Sequence, residues 1–149
     1  MSDLSELYQE VILDHYRRPR NFKTLDDARS AEGYNPLCGD RLKVYVRCVD
    51  GRIEEVAFEG SGCAISQASA SVMTETLKGK TLSEMQELFR RFQNLVTGKG
   101  DGMEGLAELG EMAAMSGVKE FPSRVKCATL GWHTLAAALE RDSDTVTTE

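Results

Sequence analysis

The stretch from Arg41 to Glu59 constrains the fold most. Leu42, Val44, Val46 and Cys48 alternate with Arg41, Lys43, Tyr45 and Arg47, the period-two pattern of a strand with one buried and one exposed face. Asp50-Gly51 follows, a pair that tolerates the positive φ values of a two-residue hairpin turn. Arg52 to Glu59 then returns as the partner strand, and a third strand candidate lies near Ala31 to Pro36. Such a meander has one apolar face to cover, and the flanking segments must supply the cover.

Those segments read as helices. Leu4, Leu7, Tyr8, Val11, Ile12 and His15 recur at helical spacing over Asp3 to Arg17, with Pro19 as the stop. After Gly60-Ser61-Gly62 breaks the sheet, Ala64 to Leu77 forms a helix rich in small residues. Thr81 with Glu84 three residues on opens another as a capping box, running to Leu95. Thr97 to Gly117 is glycine-rich around a short helix from Glu104 to Met115, which Gly117 ends. Pro122 starts a last helix to about Arg141, with Val125, Ala128, Trp132, Leu135, Ala136 and Leu139 as its core stripe. The expected fold is α+β: a small three-stranded antiparallel sheet with helices packed on one face. Residues 1–141 make one domain, and 142–149 are a polar, disordered tail.

Composition narrows the function. A net charge of -6 argues against a nucleic-acid surface. No secretory or membrane-spanning segment is visible, so a cytoplasmic, reducing setting is expected. There, four cysteines in 149 residues point to metal binding or reactivity rather than a disulfide framework.

The cysteines differ in their surroundings. Cys48 shares a strand face with three aliphatic residues and reads as a small buried hydrophobe. Cys63 follows Gly60-Ser61-Gly62 at a helix N-terminus, where the dipole and free N–H groups favour thiolate. Its paired glycines imply close backbone approach to something. Cys38 sits on a loop between Pro36-Leu37 and Gly39-Asp40, with few core contacts expected. Asp40 alone reads as a turn residue, and its two-residue offset from Cys38 makes it a ligand candidate. Cys127 lies in the first turns of the last helix, off the centre of the core stripe. Arg124 on its face and the adjacent Lys126 would both lower its pKa.

A Cys–His nucleophile pair fails on geometry. His133 is six residues after Cys127, about 240° round the helix at ~100° per residue, and His15 reads as a structural histidine. Spacing alone leaves a metal site open and undecided, because the one short ligand gap is Cys38-Gly39-Asp40.

Longer segments resolve this by likeness. Leu7 to Tyr16 (LYQEVILDHY) with Pro19-Arg20-Asn21, Asn35 to Asp40 (NPLCGD), Phe58 to Ser71 (FEGSGCAISQASAS) and Arg124 to Leu130 (RVKCATL) resemble the SufU/IscU family of iron–sulfur cluster assembly proteins. The resemblance spans nearly the whole chain apart from the tail, and implies a SufE/NifU-like fold. It implies one site of Cys38, Asp40, Cys63 and Cys127, without Cys48. Scaffold-type members, which assemble a [2Fe–2S] cluster, usually carry a histidine before the last cysteine and a Leu-Pro-Pro-Val-Lys chaperone segment. Here Lys126 precedes Cys127, and the stretch reads Phe121-Pro122-Ser123-Arg124-Val125-Lys126. With the Gly/Met-rich insertion, this is similar to the zinc-binding SufU type, which accepts sulfur from a cysteine desulfurase.

The resemblance therefore implies zinc held by Cys38, Asp40, Cys63 and Cys127, with Arg124 and Lys126 compensating the negative charge. Cys38, hinged at Gly39, would be the sulfur-accepting residue, freed on docking to a SufS-like desulfurase by a ligand swap with a partner histidine. Downstream iron–sulfur assembly proteins would receive the sulfur. A [2Fe–2S] scaffold, with a transient cluster or iron, and a structural zinc domain are the alternatives.

Overall fold

The computed structural model describes residues 3–98, 110–141 and 145–147. The expected meander is present: β1 (Arg29–Asn35), β2 (Asp40–Val49) and β3 (Arg52–Ser61) pair antiparallel, with β2 in the centre. Asp50 and Gly51 both take positive φ, 52° and 76°, in the turn between β2 and β3. Val44, Val46, Val56 and Phe58 are fully buried on the covered face.

Two features depart from simple alternation. A bulge between Arg47 and Cys48 shifts the register, so that Arg47 faces Glu55 but Cys48 faces Ile53. Past it Cys48 is exposed rather than in the core, because the extra residue breaks the pattern at the turn end of the hairpin. Gly60 and Ser61 do not break the sheet either. They extend β3 opposite Leu42 and Arg41, and carry the chain to the far end of the molecule.

α1 (Asp3–Arg17) buries Val11, Ile12 and His15, whereas Leu7 stays 44% exposed and lies outside the core. After α1, Phe22 meets Phe58 edge-on at 5.2 Å. Backbone bonds from Lys23 to Phe58 and from Phe58 to Asn21 lay this segment along the outer edge of β3.

α2 (Ala64–Leu77) and the last helix, α5 (Pro122–Arg141), pack on the sheet and on each other. Small residues make this possible. Gly131 of α5 lies so close to Ala70 that an added Cβ would stand 3.3 Å from that methyl, and the Ser69 hydroxyl donates to the Ala128 carbonyl. Consequently α5 is buried on several sides. Leu130, Thr134 and Ala138 join Trp132 and Leu135 at 0% exposure, a wider band than a single stripe.

α3 (Leu82–Thr97) starts with the expected capping box at Thr81 and Glu84. Its Phe89 and Phe92 stack on Trp132 at 5.4 and 5.3 Å.

Residues 99–109, most of the insertion, lie outside the described residues. Beyond them the expected helix is described only as α4 (Glu111–Ala114), which passes into a 3-10 helix (Met115–Glu120) through Gly117 instead of ending there. The Tyr8 ring packs on Gly117, 2.7 Å from where a Cβ would stand.

The tail contains more structure than its composition suggested. Thr145–Thr147 form β4, parallel to β1 at Glu32 to Tyr34, giving the order β3-β2-β1-β4. The open edge of β1 supplies the backbone partners that make a short polar strand possible. Among the described residues, no helix is long and apolar enough to cross a membrane.

Candidate metal centre

The Asn35-to-Asp40 segment is a hairpin loop. Asn35 and Asp40 pair across its base as the last and first residues of β1 and β2, leaving Pro36 to Gly39 as the turn. Cross-strand partners share a face, and both side chains are fully buried. Cys38 is at the tip and half-buried. Gly39 holds the left-handed φ of +73° with nothing within 4 Å of a would-be Cβ, so the turn is closed by backbone conformation and not by packing.

Cys63 arrives from the other hairpin strand. The extension of β3 brings Gly62 against Asp40, where a Cβ would lie 2.5 Å from Asp40 Oδ1. This is the close approach that the paired glycines anticipated. The Cys63 backbone N–H donates to Asp40 Oδ1 at 2.8 Å. Cys63 is also the N-cap of α2, its sulfur accepting from the Ser66 N–H at 3.5 Å.

Cys127 enters from α5 and is fully buried. Its sulfur lies 3.3 Å from that of Cys38. Arg124, one turn earlier on α5, donates from Nη1 to Cys38 Sγ at 3.2 Å. Asn35 Nδ2 donates both to Cys127 Sγ at 3.3 Å and to Asp40 Oδ2 at 3.2 Å.

The β1–β2 turn, the junction between β3 and α2, and the last helix thus converge at one end of the sheet. The ligand atoms of Cys38, Asp40 and Cys127 lie within 4.8 Å of one another. The Cys63 thiol falls outside that group of three, and the Cys127 thiol donates to Cys38. Cys48 is remote, on the exposed end of the other hairpin.

The thiols are unequal. Cys63 is lowered to about 6, chiefly by the neighbouring Cys127 thiol and then, against burial, by the Ser66 N–H. Cys127 moves the other way, well above the ordinary thiol range, through its Cys63 neighbour and through burial. The expectation that Arg124 and Lys126 would lower Cys127 does not hold. Burial and a neighbouring thiol both disfavour the charged form of Cys127. Arg124 donates to Cys38 and interacts with Cys127 as well, and among the described residues Lys126 makes no hydrogen bond or ion pair with the cluster. The phenol of Tyr8 is pushed up by burial first and then by the charge of Cys63.

Both histidines are committed elsewhere. His15 is fully buried, with Nδ1 2.7 Å from Ser71 Oγ and Nε2 3.2 Å from both oxygens of Glu111. His133 meets Phe89 edge-on at 5.0 Å and is lowered by burial. Neither serves a thiol as base.

The donor set suits zinc. Sulfur ligands at ~2.3 Å in a tetrahedron stand roughly 3.8 Å apart, and Cys38 and Cys127 need only a small adjustment from 3.3 Å. The residue that sequence reasoning missed is Asn35. Its signal was present, since a four-residue loop makes its flanking residues cross-strand partners.

Comparison with known proteins places this geometry in context. Residues 7–140 match the family model described as the NifU-like N terminal domain. The chain is 38% identical over 141 residues to the zinc-dependent sulfurtransferase SufU of Bacillus subtilis, covering 95% of each chain. It is also 38% identical over 144 residues to the iron–sulfur cluster assembly scaffold protein IscU of Streptococcus pyogenes, covering 97% of this chain and 89% of the relative. Among solved structures, a candidate cluster assembly scaffold protein for the SUF system of Fervidobacterium islandicum superposes with a TM-score of 0.82 at 38% identity, covering 90% of this chain and 97% of the other.

Proposed function

This chain belongs to the NifU-like N-terminal domain family, and we propose that within it the chain serves iron–sulfur cluster assembly as a zinc-dependent sulfur acceptor. Cys38, Asp40, Cys63 and Cys127 are the proposed zinc ligands, and a cysteine desulfurase is the proposed sulfur donor. The zinc-dependent sulfurtransferase among its relatives supports this reading, as does Lys126 in place of a histidine before Cys127.

One observation carries it. Asp40 and Cys127 are buried and tied down by neighbours, whereas Cys38 rides on an exposed turn hinged at Gly39 and touched by Arg124. Zinc, when bound, would supply positive charge that keeps thiols deprotonated and ordered, and it performs no redox chemistry.

The transfer itself belongs to Cys38. Its thiolate attacks the outer sulfur of the desulfurase persulfide, a Cys38–sulfur bond forms, and the bond to the enzyme's cysteine breaks. The enzyme's cysteine leaves as a thiolate, so the electron count is unchanged and no outside oxidant or reductant is needed. Arg124 stabilises the attacking charge from 3.2 Å. Leu37, 65% exposed beside Cys38, gives a partner an apolar contact at the point of transfer.

The test is desulfurase turnover with and without the chain, with zinc content measured on the same sample. Cys38→Ser should abolish sulfur acceptance and leave the fold intact, and full stimulation by that variant sinks the assignment. A second reading, a [2Fe–2S] scaffold, draws on the equally similar scaffold relative and on thiolates accepting iron as readily as zinc. Iron content and a visible absorption band in freshly purified protein would favour it.

A further inference from the structure

The geometry points to Asn35 as a positioning residue of the thiol–carboxylate cluster, one that sets the affinity and electronic character of the metal held there. The inference rests on the zinc reading above. Four observations lead to it.

Asn35 is fully buried. Its two amide protons have two acceptors, Asp40 Oδ2 at 3.2 Å and Cys127 Sγ at 3.3 Å. Its other end, Oδ1, has no protein partner among the described residues. Finally, Asn35 pairs with Asp40 across the base of the Cys38 turn.

A buried acceptor without a donor is a standing loss of stability, so packing does not account for an amide at this position. A leucine-like side chain would fill the space without that loss. What the amide supplies is two N–H donors aimed at two proposed ligands. Its orientation follows from the charge of its neighbour, because the reversed amide would set Oδ1 against the Asp40 carboxylate.

The consequences differ for the two ligands. Asp40 already accepts the Cys63 N–H on Oδ1, and Asn35 takes Oδ2, so the carboxylate cannot rotate. Cys127 receives an N–H···S bond, which stabilises sulfur lone-pair density and weakens its donation to a metal. Groups that hold ligands in this way tune metal affinity and reactivity without touching the metal. Asn35 makes no hydrogen bond to Cys38 among the described residues, so it anchors two donors while leaving the transferring thiol free.

The test measures metal rather than turnover. Zinc affinity, read by competition with a chromophoric chelator, should fall about 10–100-fold in Asn35→Leu and in the isosteric Asn35→Asp, because the lost hold on Asp40 outweighs the stronger donation of a Cys127 sulfur without its N–H partner. With cobalt in place of zinc, the sulfur-to-cobalt charge-transfer band of Asn35→Leu should move to lower energy, because Cys127 has lost its N–H donor. A packing role would change the melting temperature and leave that band in place.

If both variants fail to fold, the wild-type chain decides. Loaded with an NMR-active cadmium isotope, it should show scalar coupling between the metal and an Asn35 side-chain amide proton through the Cys127 sulfur, and absence of that coupling overturns the inference. A wild-type chain that takes up no zinc refutes the zinc reading itself. Wild-type zinc binding with both variants unchanged refutes only the role of Asn35.

Discussion

A methyl group at Gly62 is the smallest change that should disturb the whole site. The Cβ of Gly62→Ala would lie 2.5 Å from Asp40 Oδ1, 2.8 Å from Ser66 Oγ and 3.0 Å from Asp40 Cβ. Unstrained carbon–oxygen contacts begin near ~3.3 Å, so Asp40 and the Gly62–Cys63 backbone must separate by roughly 0.8 Å. That separation breaks the 2.8 Å bond from the Cys63 N–H to Asp40. Asp40 is fully buried, so water cannot replace the lost donor without the site opening.

A hydrogen bond to a charged group contributes about 1.5–3 kcal/mol. At roughly 2–4 °C per kcal/mol for a domain of this size, the melting temperature should fall by roughly 3–12 °C. The assay is thermal unfolding of the metal-free, reduced protein, followed by circular dichroism at pH 7. An unchanged melting temperature would show that Asp40 is not pinned by the Cys63 backbone, and the account of how β3 delivers Cys63 would fail.

Two further outcomes are expected. In the metal-free protein, thiolate absorbance should appear with an apparent midpoint near the value of about 6 for Cys63 and vanish in Cys63→Ser. Because folding lowers this pKa, the contribution of Cys63 to stability is complete above the unfolded thiol value of ~8.5 and is lost as pH falls through about 6. A wild-type protein whose first thiolate forms only near the unfolded value would contradict the unequal pairing with Cys127. Cys48→Ser should change stability by no more than about 0.5 kcal/mol and leave zinc content unaltered. A loss of ~1–3 kcal/mol, the cost of burying an unpaired hydroxyl, would restore Cys48 to the core and contradict its exposure beyond the bulge.

Much of the fold was legible locally. The Arg41-to-Glu59 pattern with Asp50-Gly51 located the central hairpin, and Thr81 with Glu84 located the start of α3, because turns and caps are decided by neighbours in sequence. The resemblance of NPLCGD, GSGCA and RVKCA to a known family named the four proposed site residues before any geometry was available. What failed was long-range. Cys48 left the core through a bulge set by pairing with β3, and Thr145–Thr147 became a strand by finding the edge of β1.

The sequence by itself determined which donors exist, three motif thiols and a carboxylate, and that Cys38 sits between a proline and a glycine on a turn. Only the tertiary structure decided how those donors differ. The Cys63 pKa is lowered by the neighbouring Cys127 and by the N–H groups of a helix start, while that of Cys127 is raised by the same neighbour and by burial. Arg124 donates to Cys38, Lys126 makes no hydrogen bond with the cluster among the described residues, and Asn35 ties Asp40 to Cys127, which lies 92 residues beyond Asn35 in sequence. Burial and hydrogen bonding between distant segments set the charge state of a thiol, and no local pattern encodes them.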